Sequence, residues 1–275
     1  MPHLHANGVN LYYEEHGTGE PLVLIMGFTA SSVAWHWNIA DFATHFRVIA
    51  FDNRGVGQSD KPNVPYSMPM FAEDTAGVLT GLGLDSAHIF GISMGGMIAQ
   101  EFALRYPQRV KTLTLGCTNC GGSQTVLPTD PDVLKMLANI DSMDVVQAAL
   151  TMTKVAVTPW FMRQRMDVLI ELNRRSSQHP TPQHGMVCQM AAIQGHDTYD
   201  RLPQLTMPTL VITGKEDGLV PPENSVTLAR RIPNADLVLL SNASHLFNIE
   251  LPTATNDVVT RFIQRPREWH GGGQS

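Results

Sequence analysis

The chain has 275 residues, of which 43% are hydrophobic, so it is long enough to bury the core of one large α/β domain or of a domain with an inserted lobe. Its 25 acidic and 19 basic side chains give a formal charge of −6, which disfavours nucleic acid and anionic membranes as partners. No apolar run reaches the roughly 18 residues of a membrane span, and the N-terminus lacks the pattern of a signal peptide. We therefore expect a cytoplasmic protein.

The first 120 residues alternate between strand-like and helix-like stretches. An opening hairpin is predicted around a turn near Gly8, and short apolar runs typical of buried strands follow it. The predicted strands cover 3–8, 10–17, 21–26, 47–51, 87–90 and 111–116, and the predicted helices between them cover 32–46 and 68–82. Strands that alternate with helices imply a mostly parallel sheet with right-handed crossovers.

The pattern changes in residues 121–203, which contain no convincing strand and carry helical periodicity instead. Four helices are predicted there, at 131–140, 143–155, 160–175 and 182–195. Strands resume at 209–214 and 236–240, and a last helix is predicted near 253–263. The sequence therefore predicts an all-helical insertion within an α/β domain.

The segment Gly91–Gly95 reads Gly-Ile-Ser-Met-Gly and joins a predicted strand to a helix-like run. Such a turn lifts a serine hydroxyl off the sheet edge and places the following N–H groups at a helix N-terminus, where they can hold a developing oxyanion. Gly91 and Gly95 allow the strand and the helix to approach closely. Ser93 is thus a candidate nucleophile, although a glycine-rich turn with an incidental serine would show the same letters.

A serine nucleophile needs a carboxylate that orients its histidine base, and catalytic groups gather at the carboxyl ends of parallel strands. The predicted strand at 209–214 is followed by two acidic residues, Glu216 and Asp217. We favour Asp217, because Gly218 permits a tight turn that aims the carboxylate inward. An ordinary acidic surface loop is the alternative interpretation.

The base is sought in the same way among the eleven histidines. His245 lies just beyond the predicted strand at 236–240, after a run of small residues. A single histidine is more often structural, but Ser93, Asp217 and His245 occur in the chain order that α/β-hydrolases use. We therefore predict that these three residues form a catalytic triad.

With further landmarks, the chain resembles the α/β-hydrolase superfamily over nearly its whole length. The landmarks are Gly27-Phe28, residues 52–60, residues 91–96, residues 214–221, and Ser244-His245 with Glu250 and Pro252. The resemblance implies an eight-stranded, mostly parallel sheet flanked by helices, with an all-helical cap inserted after strand 6. It divides the chain into a core of residues 1–120 and 204–268, a cap of residues 121–203 and a flexible tail of residues 269–275.

The resemblance also implies two oxyanion donors, the backbone N–H groups of Phe28 and Met94. Relatives often carry His-Gly where this chain has Met26-Gly27. Because the donor is a main-chain group, we expect the oxyanion hole to persist with a more apolar entrance.

The activity expected from this resemblance is hydrolysis of small to medium carboxylic esters through an acyl-enzyme on Ser93. Lactones are a narrower option, because residues 197–202 resemble the cap exit of enol-lactonases. Carbon–carbon bond hydrolysis and cofactor-free perhydrolysis use the same triad and stay open, whereas a non-catalytic ligand receptor is disfavoured. The sequence does not decide between a monomer and a homodimer.

No cofactor and no metal ion are expected. Residues 54–57 lack the full spacing of a dinucleotide loop and the lysine of a triphosphate loop. His179, His184 and Cys188 lack a fourth ligand. Cys117 and Cys120 have C-x-x-C spacing, but Cys117 ends an apolar run rather than beginning a helix, which disfavours a redox role.

Overall fold

The sheet is the main feature of the computed structural model, which describes residues 2–139, 143 and 145–265. Its strands are β1 (His3–Ala6), β2 (Val9–His16), β3 (Pro21–Ile25), β4 (Arg47–Phe51), β5 (Ala87–Ile92), β6 (Val110–Gly116), β7 (Thr209–Gly214) and β8 (Ala235–Leu240). They form one eight-stranded sheet in the order β1-β2-β4-β3-β5-β6-β7-β8. The β1–β2 and β2–β4 pairs are antiparallel and all other pairs are parallel. The predicted eight-stranded, mostly parallel sheet is confirmed.

The helices are α1 (His36–Phe42), α2 (Met68–Gly81), α3 (Met94–Arg105), α4 (Pro131–Asn139), α5 (Val145–Ala156), α6 (Pro159–Gln164), α7 (Met166–Ser176), α8 (Gln183–Gln194), α9 (Glu223–Arg231), α10 (Phe247–Glu250) and α11 (Pro252–Gln264). The five from α4 to α8 all lie between β6 and β7 in the chain. An isolated bridge joins Gly121 to Asp197, so the two ends of this insertion meet beside the sheet. None of the helices in the described ranges is long and apolar enough to cross a membrane.

Two apolar layers cover the central strands, because side chains alternate between the faces of a strand. Val23 and Ile25 of β3 belong to one buried cluster, with side chains of α2, α3 and α9. Leu22 and Leu24 belong to the other, with side chains of α1 and α11. Leu22–Ile25 of β3 is therefore a continuous apolar run, as is typical of parallel strands buried on both faces.

Some boundaries differ from the sequence prediction. The helix predicted at 160–175 is two helices, which meet at Arg165, where φ is −130° and ψ is 39°. Both nevertheless bury residues in one cluster, with Phe161 from α6 and Val168 from α7. The helix predicted at 32–46 starts with a 3₁₀ turn at Ser32–Trp35 and ends at Phe42. The predicted tail, 269–275, lies outside the described residues.

Candidate active site

Ser93 occupies a strained turn between β5 and α3. Its φ is 58° and its ψ is −123°, a conformation that a residue with a side chain rarely adopts. Hydrogen bonds on both sides hold it: the Ser93 N–H donates to the Gly116 carbonyl at 2.8 Å, and the Gly96 N–H donates to the Ser93 carbonyl at 2.9 Å. The residue is half-buried between fully buried neighbours. The turn thus presents the hydroxyl at the carboxyl edge of the sheet.

Glycines pack so closely around this turn that side chains are excluded. A Cβ at Gly91 would overlap the Gly95 carbonyl, and a Cβ at Gly95 would overlap the Ile25 carbonyl. At Gly27, a Cβ would lie 2.9 Å from the Ser93 Cβ and 3.3 Å from its Oγ. The backbone after β3 therefore lies directly against the serine side chain.

Asp217 and His245 form a buried pair at the ends of β7 and β8. His245 Nδ1 lies 2.9 Å from Asp217 Oδ2, and the two side chains are 6% and 0% exposed. The other carboxylate oxygen, Oδ1, accepts the N–H groups of Leu219 at 3.0 Å and Val220 at 2.8 Å. Glu216, the competing acid, is exposed. The loop after β7 therefore aims Asp217, and not Glu216, at the imidazole.

The electrostatics of this pair favour a charged imidazole. Burial by itself lowers the pKa of His245, but the charge and hydrogen bond of Asp217, together with the neighbouring Cys117, outweigh burial and raise this pKa well above the ordinary 6.5. With Nδ1 bonded to the carboxylate, Nε2 is the ring nitrogen that remains for proton exchange.

Cys117 links the imidazole to the strand end that carries Ser93. It directly follows Gly116, whose register partner in β5 is Ile92, so residues 93 and 117 stand side by side. The Cys117 thiol donates to the His245 carbonyl at 3.3 Å, and Sγ lies 4.0 Å from His245 Nε2. Burial raises the pKa of the Cys117 thiol, which keeps it protonated and poorly nucleophilic at neutral pH.

The sequence was searched for a redox role of Cys117 only, and its place beside His245 was missed, although a signal was present. Cys117 directly follows β6, whose carboxyl end lies next to that of β5. The rule that catalytic groups gather at the carboxyl ends of parallel strands, which located the other candidates, therefore also applies to it. Cys117, Asp217 and His245 place donor atoms within 4.8 Å of one another, as a metal site would. The imidazole and the carboxylate already bond each other, however, and the thiol donates to the His245 backbone carbonyl.

The two predicted oxyanion donors belong to residues next to Ser93 or next to Gly27, whose backbone lies against the serine side chain. Met94 is the first residue of α3, and Phe28 lies in the turn after β3. None of the hydrogen bonds within the described ranges uses the N–H of Met94 or that of Phe28. The first N–H groups of a helix carry partial positive charge, so Met94 offers a polarised donor next to the serine.

Buried hydrogen bonds also tie the His245 loop to the inserted helices. Glu250 Oε2 accepts the Ser244 N–H at 2.6 Å, and its Oε1 accepts the N–H and hydroxyl of Thr158 at 2.8 and 2.7 Å. The Leu246 N–H donates to the Ala156 carbonyl at 2.8 Å. The residues on both sides of His245 are therefore held against the start of α6.

Phe28 also contacts the inserted helices. Its side chain packs against a cluster formed mainly by methionines, namely Met143, Ala148, Met152, Met186 and Met190. Ala148 and Met186 are buried, and the other three are partly exposed. A flexible apolar surface thus adjoins the turn that carries one predicted oxyanion donor.

Comparison with known proteins places this geometry in context. Residues 20–252 match the sequence model of the alpha/beta hydrolase fold family. A poly(3-hydroxyalkanoate) depolymerase of Ectopseudomonas oleovorans is 33% identical over 248 residues, which cover 90% of this chain and 86% of the relative. A 2-hydroxy-6-oxononadienedioate/2-hydroxy-6-oxononatrienedioate hydrolase of Burkholderia vietnamiensis is 32% identical over 271 residues, 94% of this chain and 92% of the relative.

Among solved structures, the enol-lactonase of Burkholderia xenovorans superposes with a TM-score of 0.85 at 26% identity. The match covers 95% of this chain and 99% of the lactonase. These three similar proteins are named as a depolymerase, a hydrolase and an enol-lactonase, so their names do not agree on a substrate and the substrate of this chain needs a separate argument.

Proposed function

This chain belongs to the α/β-hydrolase family and is an ester-cleaving hydrolase, and from that premise we propose that Ser93, His245 and Asp217 are its catalytic triad. The observation that carries the proposal is the buried 2.9 Å contact between His245 Nδ1 and Asp217 Oδ2, beside the strained turn at Ser93. An imidazole oriented by a buried carboxylate is what a serine needs to lose its proton at neutral pH.

In the proposed mechanism, His245 Nε2 accepts the proton from Ser93 Oγ as the oxygen attacks the acyl carbon. Asp217 holds the imidazole tautomer and stabilises the imidazolium that forms. The N–H groups of Phe28 and Met94 stabilise the tetrahedral oxyanion, each donor being worth about 3 kcal/mol. His245 then protonates the leaving alcohol, and water activated by His245 hydrolyses the acyl-enzyme.

For the substrate, we propose small to medium apolar acyl esters, with lactones as a narrower class. The methionine cluster next to Phe28 supports this choice, because thioether side chains adapt to apolar groups of varied shape. Residues 121–203 would act as a cap that supplies this surface, and the core would supply the triad. Met26, which replaces the histidine common in relatives, is buried in the core cluster that contains Leu22 and Leu24, so it adds no exposed apolar surface here.

The experiment is a turnover assay on a graded series of p-nitrophenyl esters, from acetate to octanoate, together with γ- and δ-lactones. We expect many turnovers per chain and a maximum at short or medium acyl length. A single turnover or none would favour a ligand receptor. Hydrolysis confined to vinylogous diketones would contradict ester cleavage and indicate carbon–carbon bond hydrolysis. Peracid formation that far exceeds hydrolysis would indicate perhydrolysis.

The pH dependence of kcat/KM follows from the position of His245. The base must be neutral to accept a proton, so activity falls as the pH drops through the pKa of His245. Because Asp217 raises that pKa above 6.5, the midpoint of the acid limb should lie above pH 6.5. A kcat/KM profile from pH 5 to 9 measures it, and a midpoint clearly below 6.5 would contradict the proposed His245–Asp217 coupling.

A further inference from the structure

The turn that carries Phe28 is strained at the next residue, Thr29. The Ala30 N–H donates to the Gly27 carbonyl at 3.2 Å, which closes a tight turn with Phe28 and Thr29 at its centre. Thr29 has a φ of 57°, in the left-handed region that a β-branched residue strongly disfavours. Such a conformation persists only where neighbouring groups hold it.

A glutamine from the inserted helices holds one side of this turn. Gln189 of α8 is completely buried, and its Oε1 accepts the Thr29 N–H at 2.8 Å. Its Nε2 donates to the Arg54 carbonyl at 3.3 Å. Arg54 is itself fixed in the core, because its guanidinium forms a buried ion pair with the Asp74 carboxylate. Gln189 therefore connects the strained turn to a rigid part of the core.

A threonine just before α8 holds the other side. The Thr181 hydroxyl donates to the Thr29 carbonyl at 3.0 Å, and Thr181 is 6% exposed. Both peptide groups of Thr29 are thus bonded to side chains that lie more than 150 positions later in the chain. The two contacts hold the peptide between Phe28 and Thr29 and the peptide between Thr29 and Ala30. They therefore restrict the backbone angles of Phe28, which set the direction of its N–H.

The start of α8 is packed closely enough to transmit this restraint. A Cβ at Gly185 would lie 2.7 Å from the Gly55 carbonyl, so helix and core loop are in direct contact. His184 adds a separate hydrogen bond, with Nε2 2.9 Å from the Lys61 carbonyl. This second contact reaches the core without touching Thr29, and it therefore provides a matched control.

We propose that Gln189 and Thr181 are positioning residues for the oxyanion hole: together they clamp Thr29 and thereby hold the Phe28 N–H in place. The inference rests on the proposed function, because it assigns to Phe28 the role of an oxyanion donor. It makes α8 part of the catalytic geometry and not only a wall of the substrate pocket. Movement of α8 away from the core would then weaken the oxyanion hole without displacing Ser93, His245 or Asp217.

The test compares Gln189→Met and Thr181→Val, which keep the size of each side chain and remove its hydrogen bonds. We expect kcat to fall roughly 10- to 100-fold with KM within about twofold of the unchanged enzyme, because a misplaced donor weakens only the transition state. Thr181→Ser should restore kcat by restoring the hydroxyl. His184→Ala should leave kcat unchanged.

Amide hydrogen exchange at residues 27–31 gives a second readout that needs no substrate. The amide of Thr29 should exchange at least about tenfold faster in Gln189→Met than in the unchanged chain or in His184→Ala. Unchanged exchange and kcat in Gln189→Met would overturn the clamp, and an equal loss of kcat in His184→Ala would show general docking of α8 instead. Failure of the unchanged chain to cleave any ester would overturn the proposed function separately, whatever the exchange data show.

Discussion

Replacing Ser93 with alanine is expected to lower kcat for p-nitrophenyl ester hydrolysis roughly 10⁵- to 10⁶-fold, the loss typical of removing a nucleophile from such a triad. Alanine lacks the oxygen that attacks the acyl carbon, while the turn, its glycines and the Asp217–His245 pair remain. Steady-state assays measure the loss, and circular dichroism checks that the fold persists.

Cys117 provides the informative comparison for this variant, because its sulfur is a potential nucleophile that lies 4.0 Å from His245 Nε2. Its buried, protonated thiol should not substitute for the serine hydroxyl. If Ser93→Ala keeps its activity, and the activity is lost when Cys117 is also replaced, the thiol carries out the reaction. Full activity in both variants would place the chemistry elsewhere in the molecule.

The second large effect is expected for Asp217→Asn, which should lower kcat about 10⁴-fold. An asparagine keeps the size of the side chain, but it no longer stabilises the imidazolium and permits the wrong imidazole tautomer. The pKa of His245 should also fall, because the charge that raises it is gone. Steady-state kinetics across pH measure both changes.

Glu216→Gln is the matched control, since it makes the same chemical change one position away on an exposed side chain. We expect kcat within about twofold of the unchanged enzyme, because substitutions of exposed side chains away from a site have small effects. Similar losses in both variants would mean that the loop, and not the Asp217 carboxylate, matters. A large loss in Glu216→Gln alone would reverse the assignment of the acid.

The strand ends explain why three distant residues could be predicted together. Parallel strands bring their carboxyl ends to one edge of the sheet. A serine after β5, an acid after β7 and a histidine after β8 are therefore expected at that same edge. The choice between Glu216 and Asp217 rested on Gly218, but in the structure Gly218 has neither a positive φ nor a close neighbour that would exclude a side chain. The Asp217 carboxylate itself holds the turn, because it accepts the N–H groups of Leu219 and Val220. The structure places Asp217 Oδ2 2.9 Å from His245 Nδ1, and the assignment of the three residues as a triad stays a prediction.

Contacts between remote segments could not be predicted in the same way. Gln189 lies in α8, whose apolar residues show no preferred face, and nothing in that sequence indicates Thr29 as its partner. The break at Arg165 was missed because both α6 and α7 follow a helical pattern. The polar helix α9 was missed because only three of its nine residues, Val226, Leu228 and Ala229, are apolar, so the segment has the composition of an exposed loop. In each case tertiary packing, and not local preference, decides the result.

The assignment of Ser93 as the nucleophile is tested most directly by finding where a fluorophosphonate binds, since this reagent reacts with an activated serine. Peptide mapping by mass spectrometry should locate one adduct per chain on Ser93, and the adduct should be absent from Ser93→Ala and slow to form in Asp217→Asn. Stoichiometric labelling of a different residue, or unchanged labelling when Ser93 is replaced, would contradict the assignment of Ser93 as the nucleophile.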